Sequence, residues 1–141
     1  MSSQIGKVVR TTLLDDATIA STVSNRVYPL VMPMNTDFPA IMYTVLNTKS
    51  DSHLKGTTGI AESMLQLDGY GQNYSSLLSL MELVRLEIQS IRGTYDSVFI
   101  SSIDLDGSYD MFDRPEDGSD LGLYRVVQTY NCFYQETSVS R

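Results

Sequence analysis

The sequence holds few residues that could carry out catalysis. Its only histidine, His53, lies in a polar stretch between Asp51 and Lys55. As a general base, this imidazole would need a nucleophile and an orienting group within hydrogen-bond reach. No serine stands in a G-x-S-x-G pattern that would supply such a nucleophile. Two hypotheses therefore stay open. The protein is a small enzyme that uses His53 with nearby carboxylates, or His53 is a loop residue without a catalytic role.

The single cysteine, Cys132, excludes an internal disulfide and leaves nothing for a thiolate metal site. Alternation along the last predicted strand places it on the same side as Tyr130 and Tyr134. A cysteine in the middle of a strand, between aromatic neighbours, is typical of a small core residue. We therefore predict that Cys132 is structural and not a nucleophile.

Seven carboxylates fall within 17 residues near the C-terminal third, and only Arg114 offsets their charge. They are Asp104, Asp106, Asp110, Asp113, Glu116, Asp117 and Asp120. A calcium-binding EF-hand loop needs glycine at its sixth position and glutamate at its twelfth. Counted from Asp104, the glycine is fourth and the twelfth residue is Pro115. The pattern favours a solvated connecting loop, with a subunit contact or a Ca²⁺-dependent binding module as the alternatives.

Sites for phosphate groups are not indicated. Gly69-Tyr-Gly71 follows a strand, but Tyr74 stands where a dinucleotide fingerprint has its third glycine, and there is no G-K-[ST]. Ten Lys and Arg against 17 Asp and Glu give a net charge of −7, which argues against binding nucleic acid through its phosphates. An acidic surface can still lie beside DNA without binding it.

Targeting and membrane segments are not predicted either. The first residues lack the apolar run of a signal peptide. No stretch approaches the roughly 18 apolar residues that a membrane-spanning helix needs. The expectation is a soluble protein of a reducing compartment.

The N-terminal part of the chain is predicted to be helical. Apolar residues recur on one stripe from Ile5 to Val23. Asp15 and Asp16 interrupt the stripe, which predicts a kink or a second short helix capped by one of these aspartates. Arg26 to Pro29 should then be extended, since the residue before a proline is pushed out of the helical region. Residues 29–39 contain three prolines and predict an irregular crossing.

Four further segments are predicted to be strands. Residues 40–46 are apolar at both alternate sets of positions, which predicts a strand covered on both faces. Residues 63–70 alternate, with Leu65 and Leu67 on one side and Gln66 and Asp68 on the other. Residues 96–105 and about 122–135 complete the set. Polar loops are expected at about 47–60 and 106–121.

The strongest helical pattern spans residues 74–92. Asn73 is its predicted N-cap, and Gly93 stands where a left-handed C-cap belongs. Leu83 and Leu86 lie off the apolar stripe, as ordinary surface residues or as a contact with another subunit. The whole chain, residues 1–141, thus predicts a single α+β domain, with an antiparallel or mixed sheet of about four main strands and helices packed on one face.

The order of five short motifs resembles the tail-terminator or tail-completion proteins of long-tailed bacteriophages and of gene transfer agents. The motifs span about residues 7–136: Val23-Ser-Asn-Arg-Val-Tyr-Pro29, Pro39-Ala-Ile-Met-Tyr43, Leu54-Lys-Gly-Thr-Thr-Gly59, Leu65-Gln-Leu-Asp-Gly-Tyr70, and Leu123-Tyr-Arg-Val126 through Tyr130 to Tyr134. Each motif is degenerate, and the resemblance lies in their order and spacing.

The resemblance implies a structural protein of the virion, with no enzymatic activity, cofactor, metal or membrane. Such proteins form a ring, usually a hexamer, at the head-proximal end of the tail tube, where they end tube polymerisation and join the tail to the head connector. Implied partners are further copies of the chain, the tail tube protein and a connector or stopper protein, with DNA passing through the lumen without sequence-specific binding. Assembly would take place in the host cytoplasm. Another neck component, a stopper or an adaptor, is the alternative.

Contacts between subunits or rings are expected mainly from the two polar loops and from the off-stripe leucines. The candidate residues are Asp51, His53, Lys55, Leu83, Leu86, Asp106, Asp110, Asp113, Arg114 and Glu116.

Overall fold

Three helices and six strands build the fold. A computed structural model of the chain describes residues 2–50, 60–95, 98–113 and 122–136. The helices are α1 (Ser2–Asp15), α2 (Ala17–Val23) and α3 (Tyr74–Gln89). The strands are β1 (Val27–Pro29), β2 (Ala40–Ser50), β3 (Ile60–Gly71), β4 (Gly93–Tyr95), β5 (Val98–Asp113) and β6 (Leu123–Glu136).

The N-terminal helical pattern is divided by Asp16, as the second of the two predicted alternatives requires. The Asp16 carboxylate accepts hydrogen bonds from the backbone N–H groups of Thr18 and Ile19, each at 3.0 Å. These bonds satisfy donors that have no partner inside the first turn of α2. In α1, Gly6 allows close packing on β2, because a Cβ there would lie 2.8 Å from Cε2 of Tyr43.

Replacing Asp16 by alanine should lower the free energy of unfolding by about 1 kcal/mol, because α2 loses its N-cap. Asp16→Asn keeps an acceptor oxygen at the same place and is the matched control. Urea denaturation of the two variants measures the difference. Equal stabilities for alanine and asparagine would contradict the capping role.

Helix α3 begins as the sequence predicts and ends earlier. The Asn73 side chain accepts a hydrogen bond of 2.9 Å from the backbone N–H of Ser76. Its buried face consists of Leu77, Leu80, Met81, Val84 and Ile88. The helix ends at Gln89 with Ser90 as its C-cap. The prediction that Gly93 is the C-cap is therefore wrong: its positive φ of 113° serves the start of β4.

The sheet has the strand order β1-β2-β3-β6-β5-β4, with β1 parallel to β2 and the other neighbours antiparallel. The α+β class and a mixed sheet are confirmed, but the count of about four strands omitted the two short edge strands. Extended backbone before Pro29 was predicted, and it pairs with residues 41–43 as β1. Strand β4 was not predicted, because its three residues carry no periodic signal.

Both predicted polar loops are shorter than the sequence indicated. Residues 47–50 extend β2, Ile60 begins β3, and residues 106–113 belong to β5. The reason in β5 is a pair of register shifts, between Ile100 and Ser102 and between Leu105 and Gly107. Each shift inserts a residue and breaks the strict alternation by which a strand is recognised. Residues 51–59 and 114–121 lie outside the described residues.

The helices pack on one face of the sheet: α1 contacts β2, and α3 contacts β3, β5 and β6. Ile41 and Tyr43 on β2 and Leu65 and Leu67 on β3 join the core beneath them. The expectation that β2 is covered on both faces is wrong. Met42 and Thr44 are half-buried and Leu46 is exposed, so the opposite face of this strand is open.

The two long hairpins extend toward opposite ends of the sheet. β3 and β6 run antiparallel, with Ile60 opposite Gln135 at one end and Gly71 opposite Tyr124 at the other. β2 therefore ends and β3 begins at the end of the sheet where β6 finishes, and β5 ends where β6 begins, at the opposite end.

Candidate functional site

An exposed acidic strand is the first candidate surface. Asp104, Asp106, Asp110 and Asp113 all lie on β5 with exposed side chains. Strand β4 pairs only with residues 98–100, so no described strand covers the outer side of β5 from Ser101 to Asp113. Three predicted contact residues, Asp106, Asp110 and Asp113, thus lie on one strand instead of in a loop, with Asp110 on the face of the helices and Asp113 on the opposite face. Carboxylates along an open edge discourage pairing with further strands.

Asp106 occupies the second register shift of β5. Leu105 pairs with Tyr130 and Gly107 with Thr129, so Asp106 has no residue opposite it. Its carboxylate accepts a hydrogen bond of 3.4 Å from the side-chain amide of Asn131. The extended backbone does not wrap around a central point, as an EF-hand loop does. Among the described residues, no group of three or more His, Cys, Asp or Glu side chains is arranged to hold a metal ion.

Aromatic side chains attach the far end of β5 to α3. The ring of Tyr124 lies 4.7 Å from that of Phe112 and 5.1 Å from that of Tyr74, centroid to centroid. The Tyr74 hydroxyl donates a hydrogen bond to the Asp110 carboxylate, which raises the pKa of Tyr74. Asp110 is therefore held in place by the first residue of α3, and the acidic strand has a fixed position relative to the helices.

Of the remaining predicted contact residues, two lie in the described part of the chain and five lie outside it. Asp51, His53, Lys55, Arg114 and Glu116 lie outside the described residues. Leu83 is partly buried against the core, whereas Leu86 is 52% exposed on the outer face of α3. Of the two off-stripe leucines, only Leu86 presents most of its surface for a contact.

A buried ion pair lies on the sheet face opposite the helices. Asp68 is fully buried, although alternation alone assigned it to the polar side of β3. Its carboxylate accepts hydrogen bonds from Nε of Arg125 at 3.0 Å, from Nη2 of Arg125, and from Nε2 of Gln66 at 2.8 Å. The guanidinium carbon also lies 5.5 Å from the centroid of the Tyr70 ring. Sequence reasoning missed this cluster, because its partners are 57 residues apart.

A second buried polar link joins the sheet to α3. The hydroxyl of the fully buried Tyr130 donates to Oε1 of Gln128 at 2.6 Å. Nε2 of Gln128 in turn donates to the backbone carbonyl of Met81 at 3.1 Å. Burial raises the pKa of Tyr130, which keeps the phenol protonated as a donor. These groups satisfy one another, as a structural network must, and none is left to react.

Cys132 is fully buried, which agrees with its prediction as a core residue. Burial raises the pKa of the thiol to about 12. A group whose pKa is raised by folding stabilises the native state fully below its unfolded pKa, about 8.5 for a thiol, and loses that contribution as the pH rises toward 12. At neutral pH the thiol is protonated and shielded, so it is a poor nucleophile.

The thiol should not react with a disulfide reagent at pH 8 until the chain is unfolded in guanidinium. Urea titrations at pH 8 and pH 10.5 give a second measurement. Between them the wild type should lose about 2 kcal/mol more than Cys132→Ala, since only the wild type carries the shifted thiol. Rapid labelling of the native protein, or equal losses in the two proteins, would contradict the buried assignment.

An exposed apolar segment follows β1 and was not singled out from the sequence. Leu30, Val31 and Met34 are 66%, 73% and 90% exposed, and we call residues 30–36 the apolar crossing. The three prolines predicted an irregular path here, but nothing in the local pattern shows that these side chains face solvent. Exposed apolar clusters of this kind mark interaction surfaces.

Within the described ranges, no helix is both long enough and apolar enough to cross a bilayer. The side-chain pairs named above are an ion pair, helix caps and hydrogen bonds that link strands and helices. The exposed features described so far that can make contacts are the acidic strand, Leu86 and the apolar crossing.

Comparisons with known proteins bear on the fold. No protein-family model matches the sequence, and no curated protein matches it. The solved structures to which this chain is similar include a chain from the virion of a native gene transfer agent particle, with a TM-score of 0.73 and 12% sequence identity. The alignment covers 94% of this chain and 96% of that chain. At this identity the likeness concerns the fold, and this chain shares that fold over nearly its whole length with a chain of a gene transfer agent virion.

Proposed function

We propose that this chain is a structural virion protein that forms a ring, of six subunits, at the head-proximal end of a phage-type tail tube. The ring ends tube polymerisation and joins the tail to the head connector. The observation that carries the proposal is the fold shared with a chain of a gene transfer agent virion over 94% of this chain and 96% of that one. The motif order from Val23 to Tyr134 supports the narrower assignment to a tail terminator.

The charge distribution supports a channel through which DNA passes without binding. The chain carries a net charge of −7. Four exposed aspartates lie along β5 with no described lysine or arginine on that strand. Carboxylates repel phosphates and so keep nucleic acid mobile near such a surface.

The contact surfaces support assembly with several neighbours. In the proposed ring, one of the two long connections between strands meets the tube and the other meets the head connector. The first of these connections holds Asp51, His53 and Lys55, and the second holds Arg114 and Glu116. Asp106, Asp110 and Asp113 extend the second of these surfaces along β5. Leu86 adds an apolar contact from α3.

The test is an end-capping assay imaged by negative-stain electron microscopy. Purified protein is added to the cognate tube protein while tubes grow, and tube lengths and ends are scored. The proposal expects arrested tubes with a blunt ring at one end. Tubes that continue to grow with bare ends would overturn the terminator assignment. If the protein instead binds isolated connector rings, it belongs to another neck position, such as a stopper.

Two sets of variants sharpen the assay. His53→Gln should cap tubes as the wild type does, because glutamine can still make a hydrogen-bonded contact but cannot act as a general base; loss of capping would favour the enzyme hypothesis. Leu86→Asp should reduce the fraction of capped tubes, and Leu78→Asp is its matched control, since Leu78 is an exposed leucine on the same helix. Equal capping by both aspartate variants would remove Leu86 from the contact surface.

A further inference from the structure

The sheet face turned away from the helices, which we call the outward face, is rich in apolar side chains. Residues paired across neighbouring strands share a face, so the strand registers assign each side chain to one side of the sheet. A sheet face in contact with water normally carries polar residues at its outward positions. Here those positions include Met42, Met64, Tyr70, Tyr109, Met111 and Val127. The outward face therefore has the composition of a covered face.

A single copy leaves this face open. Within the described ranges, the helices lie on the other face of the sheet and no element packs on the outward one. Tyr109 and Met111 are 54% and 39% exposed on its β5 side, and Met42 and Met64 are half-buried near its middle. The apolar pattern of β2, which predicted cover on both faces, is satisfied on one face only. A second layer over the outward face would satisfy it on the other.

The centre of the outward face carries no net charge. Asp68 and Arg125 both lie on this face, on β3 and β6, and their ion pair cancels the two charges. The other described acidic side chains of this face, Glu62, Asp104 and Asp113, lie toward its borders. Because the whole chain has a charge of −7, copies repel each other over most of their surface. The neutral centre is where two copies can approach and bury apolar area.

The outward face is also as large as a stable contact between two proteins requires. Four neighbouring strands at a spacing of about 4.8 Å, with the 12 residues of β3 at about 3.3 Å each, give a footprint on the order of 750 Å². A standard interface buries roughly 800 Å² on each partner. Two sheets pack face to face with their side chains interdigitated across about 10 Å. A second copy of the same face thus matches this one in size and in strand geometry.

We propose that two copies of this chain pair through their outward faces, around a two-fold axis, before the protein joins a tail. The pair has the layer order helices, sheet, sheet, helices, and each sheet is then covered on both faces. In a two-fold contact both partners use the same surface. Neighbours in a single ring of six are related by a sixth of a turn and not by half a turn, so the pair separates when the ring forms. That last step rests on the proposed function.

Cross-linking through one engineered cysteine tests the two-fold contact. Thr129 lies on the outward face between β3 and β5, opposite Gln66, so the two copies of residue 129 meet near the axis. Thr129→Cys is treated with a bis-maleimide whose spacer is cleaved by reduction; Cys132 is buried and stays unlabelled. The expected product is a covalent dimer and nothing larger. Ser79→Cys, on the exposed side of α3, is the matched control and should give no dimer.

Light scattering gives an independent measurement. The untreated wild type should have twice the mass of one chain. Tyr109→Asp should be monomeric with an unchanged circular dichroism spectrum, whereas Leu78→Asp, on the helix side, should stay paired. A monomeric wild type, or equal cross-linking of the two cysteine variants, would overturn the contact. A monomer in which residue 129 resists maleimide would also overturn it, because the chain itself would then cover the face.

The capping assay keeps the contact and the proposed function apart. The cross-linked pair should fail to cap tubes, and cleavage of the spacer should restore capping. A cross-linked pair that caps as well as the cleaved protein would overturn the separation of the pair before assembly. A dimer that forms but caps in neither state would support the contact and reject the terminator function.

Discussion

Replacing Arg125 by methionine is expected to lower the free energy of unfolding by about 3 kcal/mol, which corresponds to a fall of roughly 10 °C in melting temperature. Methionine keeps much of the apolar stem but removes the guanidinium that satisfies Asp68. The Asp68 carboxylate is fully buried and would keep only the hydrogen bond from Gln66. An unpaired buried carboxylate is costly because it has lost its water and gained no counter-charge. Differential scanning calorimetry measures the effect.

The double variant Asp68→Leu with Arg125→Met is the control for this prediction. Replacing both members of a buried ion pair by apolar residues removes the charge together with its need for a partner. The double variant should recover most of the stability that Arg125→Met loses. The single variant Asp68→Leu completes the comparison. If the double variant loses as much stability as Asp68→Leu and Arg125→Met lose in sum, Asp68 and Arg125 do not act as a pair, and the assigned role is contradicted.

Replacing Gly69 by alanine is expected to cost about 2 kcal/mol, because α3 lies directly over this position of β3. A Cβ on residue 69 would lie 2.3 Å from Sδ and 2.9 Å from Cγ of Met81. Met81 is itself buried, so its side chain has little room to move aside. Either the thioether must adopt a poor rotamer or the helix must lift from the sheet. Urea denaturation of the purified variant measures the cost.

Gly71 provides the matched control two residues along the same strand. A Cβ there would lie 3.5 Å from the nearest atoms of Leu77, which is ordinary contact, so Gly71→Ala should be near neutral. Combining Gly69→Ala with Met81→Ala should cost less than the sum of the two single changes, because Met81→Ala removes the side chain that the new Cβ at residue 69 would crowd. Strict additivity would show that Met81 is not what excludes a side chain at residue 69.

The sequence predicted best those elements whose signals are local. Asn73 was expected as a cap, and one of the two aspartates Asp15 and Asp16 as another. Asn73 and Asp16 each accept hydrogen bonds from the first turn of the helix that follows. Strict alternation in β6 placed Tyr130 and Cys132 on the core side, and both are buried there. In each case one side chain or one period of two carries the information.

The features that the sequence did not predict depend on contacts with residues far along the chain or on an unusual backbone conformation. The register shifts at Ser101 and Asp106 move the inward positions of β5 from Ile100 to Ile103 and Leu105 and then to Ser108, which no period of two reproduces. The polar character of Asp68 suggested solvent, yet its burial follows from Arg125 on another strand. Exposure of Leu30 follows from a positive φ, which the residue type does not favour. Candidate contact residues were therefore harder to predict than the fold class.

The opposite directions of the two hairpins give this small chain a polarity of its own. β3 has 12 residues, so its first residue, Ile60, and its last, Gly71 beside the start of β6, are separated by roughly 37 Å along the strand. An epitope inserted among residues 51–59 and another among residues 114–121 would accordingly mark opposite poles of a subunit. Antibodies to the two epitopes, applied to the same assembly, would tell its top from its bottom without a high-resolution image of either.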